Sequence, residues 1–186
     1  MRIICLLPFL LPVTAFAGCP PLPDRGARHS ELMELVATAS NETVAREYTN
    51  ELWGIWATAP DDTAQEVLDR GMTRRASYDF AGAIDDFNTL IAYCPHYAEG
   101  YNQRAFVNFI REDYEAALTD LNRAIELTPD HIGAIVGRAL ALIQLGHMRD
   151  GQIALRRALL LNPWLPERNR VTPLPEIEEN DTETDL

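Results

Sequence analysis

The sequence predicts an all-α protein in which helical hairpins stack into a short solenoid. Two observations carry that prediction. Residues 64–97, 98–131 and 132–165 superpose without a gap as consecutive blocks of equal length, a period in the range of helical-hairpin arrays. Within the blocks the same residue types recur in phase: small residues at position 8 (Gly71, Ala105, Ala139) and position 20 (Ala83, Ala117, Gly151), a large apolar residue at position 24 (Phe87, Leu121, Leu155) and proline at position 32 (Pro95, Pro129, Pro163).

Each choice has a physical reason. Small residues at 8 and 20 let the two helices of a hairpin approach closely, and the residue at 24 fills the space between hairpins. Proline at 32 stops the second helix, because it lacks the N–H and its ring clashes with the preceding turn.

The pattern resembles the tetratricopeptide repeat family, most fully in the middle block at Tyr101, Ala105, Tyr114, Ala117, Leu121, Ala124 and Pro129. It departs at position 7, where Arg70, Arg104 and Arg138 stand in place of the frequent Leu, and at Gly151, where Ala is usual. The resemblance covers 64–165 and implies a right-handed superhelix whose concave groove, lined by the first helix of each hairpin, holds peptides or partner helices. Carried over residue by residue, it assigns Met72, Asn102, Gln103, Phe106, Phe109, Leu140 and Ile143 to a partner-binding groove of apolar character. The clamp that chaperone-binding members close on two carboxylates needs Lys, Asn and Arg at sites held here by Leu68, Met72, Gly133 and Gly137, which excludes that mode. A contiguous apolar patch marks an interface; the other reading is that residues 163–175 of the same chain cover it.

Upstream, residues 1–17 read as a secretory signal peptide: Arg2, an apolar run from Ile3 to Val13 and a small-residue end at Ala15-Phe16-Ala17. Pro8 and Pro12 argue against a buried helix there. A second reading takes Phe16-Ala17-Gly18-Cys19 as a lipoprotein box with Cys19 lipidated. Residues 18–29 are expected to form an extended arm. Residues 30–63 read as a degenerate fourth hairpin one period before the first clear block, with Met33, Val36, Ala37, Trp53 and Trp56 in register; the alternative is that these helices pack on the first true repeat in another geometry. Downstream, Pro163, Pro166, Pro173 and Pro175 forbid a capping helix, so 166–186 is expected to be extended, anchored by Trp164, Leu165, Val171 and Leu174 and ending in the acidic run of 176–186.

The formal net charge is −12, or −13 without Arg2, and all the positive charge is arginine. A nucleic-acid partner, which needs a basic footprint, is excluded, and a membrane partner is expected only through a lipidated Cys19. Export removes Cys5 and leaves Cys19 and Cys94, a pair expected to be bridged in an oxidising compartment. Asp86 and Asp120 at position 23 have no counterpart in the last block, where Ala154 stands. That absence suggests ion pairs to the next hairpin, Asp86 to Arg104 and Asp120 to Arg138. No catalytic motif, metal-ligand spacing or cofactor loop is found. His29, His96, His131 and His147 share no ligand spacing, and His96 and His131 flank the block-ending prolines as exposed turn residues. Asp61-Asp62 reads as a helix cap. Together these features point to an exported bacterial-type, non-catalytic scaffold that binds a protein or peptide in the periplasm and uses no cofactor or metal. An outer-membrane lipoprotein assisting envelope complex assembly and an enzyme with an unrecognised site are the alternatives.

Overall fold

Each repeat block folds as one antiparallel hairpin. The computed structural model describes residues 18–174, so the expectations for the signal peptide (1–17) and the acidic run (176–186) lie outside the described residues. The blocks give α3 (Asp62–Ala76) with α4 (Phe80–Tyr93), α5 (Ala98–Ile110) with α6 (Tyr114–Leu127), and α7 (Ile132–Gln144) with α8 (Met148–Leu161). The turn inside each hairpin uses a left-handed residue at the same repeat position, Tyr78, Glu112 and Gly146. In the first two repeats Asp79 and Asp113 follow and cap the second helix through the amides of Gly82 and Ala116. The second helices end just before Pro95, Pro129 and Pro163.

The small residues do what their positions require. A Cβ on Gly71 would lie 2.5 Å from the Phe87 ring, so glycine at position 8 accompanies the one repeat that carries Phe at 24. A Cβ on Gly151 would lie 2.6 Å from Ile143 and 2.9 Å from the Ala139 carbonyl. Phe87, Leu121 and Leu155 are buried along the core between hairpins.

The predicted ion pairs need correction. Arg70 binds Asp86 at 2.7 Å and Arg104 binds Asp120 at 2.6 Å, within one hairpin rather than across to the next. Positions 7 and 23 face each other across the hairpin. The arginine reaches the preceding hairpin at position 25 instead, where Arg104 donates to Asn88 (2.6 Å) and Arg138 to Asn122 (2.8 Å). Arg138 therefore has no aspartate partner among the described residues, and the missing Asp at 154 does not mark the end of the stack.

The N-terminal segment departs most from expectation. The extended arm is shorter than predicted, because a helix already begins at Gly26: α1 spans Gly26–Ala37 and α2 spans Glu42–Trp56, capped by Asn41. This hairpin does not stack ahead of α3, nor does it settle on the first repeat. Leu32, Val36, Leu52 and Trp56 share a core with Ile132 and Ile135 of α7, Ala158 of α8 and Leu165. Trp164 donates its indole N–H to the Ala39 carbonyl (3.0 Å), and Arg168 binds Glu42 (2.9 Å). The hairpin thus closes the last repeat and meets the segment that follows it. The arm returns along the edge of the repeat-ending turns, where a disulfide joins Cys19 to Cys94 with Cα atoms 5.1 Å apart.

The C-terminal segment is likewise not simply extended. A short 3-10 helix, Pro166–Arg170, follows Leu165. Beyond it the backbone runs beside α8: Gln152 donates to the Arg170 carbonyl and accepts from the Thr172 amide, and Arg156 donates to the Thr172 carbonyl. Arg156 occupies position 25, the place where Asn88 and Asn122 receive the next repeat's arginine. The segment therefore takes up contacts that a following hairpin would make.

Candidate functional site

A groove of about 620 Å³ opens over the first helices of the three repeats. Met72 and Arg75 come from α3, Asn102, Gln103, Phe106 and Phe109 from α5, and Gly133, Val136, Gly137 and Leu140 from α7. The solenoid alone does not complete it: Trp53, Gly54 and Ala57 of the N-terminal hairpin and Glu167 of the 3-10 helix form the remaining wall. Six of the seven predicted groove residues are brought together here. The exception is Ile143, whose side chain packs on Gly151 of α8 within its own hairpin. Nor does the segment after Pro163 cover the groove among the described residues, since it lies against α8 and only Glu167 reaches the rim.

Phe106 keeps 48 % of its surface exposed on the groove floor. Phe109 is half-buried and meets Tyr114 edge to face, with centroids 5.2 Å apart. Glycine at 133 makes room for the Trp53 indole, whose ring would stand 3.0 Å from an added Cβ, and glycine at 137 makes room for Leu121. Leu68, one of the clamp positions, is fully buried in the core.

Beneath the apolar floor lies a polar chain that sequence reasoning missed. Glu99 and His131 are 1 % and 0 % exposed. The His131 Nδ1 accepts the Ala134 amide at the start of α7 (3.3 Å), so its Nε2 carries the hydrogen and donates to Glu99 Oε2 at 2.9 Å. The imidazole stacks on Trp56 with centroids 4.3 Å apart. The predicted exposure of His131 is thus corrected: the N-terminal hairpin covers it, while His96 at the equivalent turn is exposed. Asn102 and Gln103, predicted as partner-binding residues, are buried and donate to Glu99. The Gln103 carbonyl in turn accepts from Arg75, whose guanidinium lies over the Phe106 ring, 4.7 Å from its centroid. One signal was available in the sequence, namely that a carboxylate and a histidine both sit beside helix starts on the groove side.

No protein-family model matches the chain. Among curated proteins it is 42 % identical over 76 residues to a tetratricopeptide repeat protein 36 homolog of Nematostella vectensis, a match covering 41 % of each chain. It is 23 % identical over 168 residues to a TPR repeat-containing protein of Rhizobium etli, covering 79 % of this chain and 80 % of the relative. The first TPR of Spaghetti (RPAP3), solved bound to the HSP90 peptide SRMEEVD, superposes with a TM-score of 0.56 at 21 % identity, over 57 % of this chain and 85 % of that one. The chain is a protein of tetratricopeptide-repeat fold. The chain spans 41 % of the length of the first of these relatives. In this chain a further hairpin docks on the last repeat of the tetratricopeptide-repeat fold.

Proposed function

We propose that the chain is a non-catalytic scaffold that holds an apolar segment of a partner protein in this groove. The observation that carries the reading is Phe106, half exposed on a groove floor it shares with the partly buried Met72, Phe109 and Leu140, which the segment after Pro163 leaves open among the described residues. Large apolar side chains left open in a concave surface serve as anchors. The peptide in the Spaghetti structure is acidic, and its mode of binding is not carried over, because the clamp positions here hold Leu68, Met72, Gly133 and Gly137. The test is photo-crosslinking in the native cell from p-benzoylphenylalanine at 106, with the same probe at Tyr78, an exposed turn residue outside the groove, as control. A discrete partner captured from 106 alone, and lost with Phe109→Ala at unchanged melting temperature, supports the groove. Identical products from both sites reject it.

The place of work we propose is the periplasm. The apolar segment 1–17 and a disulfide that reducing cytosol does not sustain both favour export. N-terminal sequencing and intact mass of the mature protein decide this: a chain starting at Gly18 with two fewer hydrogens fits it, while diacylglycerol on Cys19 selects the lipoprotein alternative.

A further inference from the structure

Among the described residues the groove floor carries one cation, Arg75, and its setting says what the partner brings. Arg75 and Arg104 are both half-buried, on neighbouring first helices. Arg104 spends its guanidinium on Asp120 and Asn88, and the Asp120 hydrogen bond holds its pKa above the ordinary value. Arg75 has no carboxylate within ion-pair distance among the described residues. Its one acceptor there is the Gln103 carbonyl, and burial pulls its pKa down against the weaker opposing pull of Glu99. Glu99 cannot serve as its partner directly, since its oxygens already meet His131, Asn102 and Gln103. Lying over the Phe106 ring, the Arg75 guanidinium keeps N–H donors that find no second acceptor among the described residues. A cation partly desolvated on apolar surface with unused donors is stabilised strongly by an anion that arrives with the occupant.

We propose that the partner segment presents an Asp or Glu side chain to Arg75 while its neighbouring apolar residues cover Phe106, Phe109 and Leu140. The inference rests on the groove reading above and adds the charge of the occupant. It differs from a two-carboxylate clamp in using a single cation, at position 12 of the first repeat, fixed by Gln103 beneath it. Glu167, which also lines the groove, disfavours a second carboxylate beside it.

The probe is a phage-displayed library of random peptides selected on the full oxidised chain. Selected sequences are expected to share apolar anchors with an Asp or Glu at fixed spacing from them. Arg75→Met is expected to abolish the acidic preference and keep the apolar one, Arg75→Lys to keep both, and Phe106→Ala to lose the apolar anchors. On the wild-type protein, replacing Glu by Gln in a selected synthetic peptide is expected to weaken binding about tenfold, the scale of one charge-assisted hydrogen bond. Apolar anchors without an acidic position, or an acidic position that survives Arg75→Met, overturn this proposal and leave the groove reading standing. Failure to enrich any sequence overturns both.

Discussion

The three-repeat stack and the N-terminal hairpin are built from helices of similar length, and the hairpin even fits the period of the stack, yet they are placed by different rules. In the stack each first helix packs on the preceding hairpin, so positions 3 and 10 are buried and small or apolar: Gly100 and Val107 in the second repeat, Ala134 and Ala141 in the third. In the first repeat the same positions hold Glu66 and Thr73, both exposed. Nothing apolar waits there for a hairpin. The N-terminal helices instead bury Leu32, Val36, Leu52 and Trp56 against the other end of the chain. Periodicity reports how hairpins are made; the residues on the leading face report where a stack begins.

The largest effect expected from this contrast follows Trp56→Ala. Trp56 is almost fully buried and stacks on His131, so its truncation removes the docking core and uncovers the Glu99–His131 pair. A loss of about 4 kcal/mol is expected. Hydrogen exchange should localise it: α1 and α2 lose protection, while α5 and α6 keep theirs. Uniform loss throughout the chain would show that hairpin and stack form one cooperative unit.

Next in size is reduction of Cys19–Cys94, which closes a 75-residue separation. The bond ties the arm to the C-cap of α4, in the stack, while the hairpin beyond the arm docks on α7 and α8. It therefore couples the two regions. Urea unfolding with and without dithiothreitol should differ by about 3 kcal/mol, and a Cys94→Ala variant should be insensitive to reductant. No difference in the wild type would mean that the docked hairpin already imposes the constraint.

Much of the stack was legible because its determinants are local and repeated: small residues at positions 8 and 20, a large apolar residue at 24 and prolines to end the second helices. The groove residues followed from the same register, since Phe106, Phe109 and Leu140 face inward on first helices wherever the array is placed. Ile143 failed because the absence of a Cβ at Gly151 draws it into the hairpin. The ion pairs failed because the sequence gives the residue types at 7 and 23 but not which of two neighbouring hairpins they face. His131 failed for a deeper reason: its burial comes from Trp56, which lies 75 residues upstream in a segment whose docking site no local pattern encodes.

A swap at one repeat position separates the open leading face from the buried ones. Val107→Thr puts a hydroxyl where the preceding hairpin excludes water, at an expected cost of about 2 kcal/mol. Thr73→Val makes the reverse change on the open face and should stay within about 0.5 kcal/mol of wild type. Chemical denaturation reads both. A substantial gain from Thr73→Val would mean that apolar surface is buried against the first repeat after all.

The smallest effect concerns how that open end is capped. Asp61 starts α3, accepting the Ala64 amide at 2.8 Å and the Tyr93 hydroxyl at 2.7 Å. In the second repeat the N-cap of α5, Tyr97, makes no side-chain cap bond, and α7 is capped by the His131 imidazole. The Ala64 amide, then the Tyr93 hydroxyl, hold the Asp61 carboxyl below its ordinary pKa. A carboxylate depressed in the folded state contributes stability above its unfolded pKa, and that contribution fades as pH falls through the lower folded value. Asp61→Asn retains an acceptor for the Ala64 amide but no longer titrates. The stability gap between wild type and Asp61→Asn should therefore be constant near neutrality and close as the pH drops below about 4. Tyr93→Phe removes the second donor and should shift that closure to higher pH. Urea titrations over the acid range measure both, and a gap that is the same at every pH would show that the Asp61 charge contributes nothing to the start of α3.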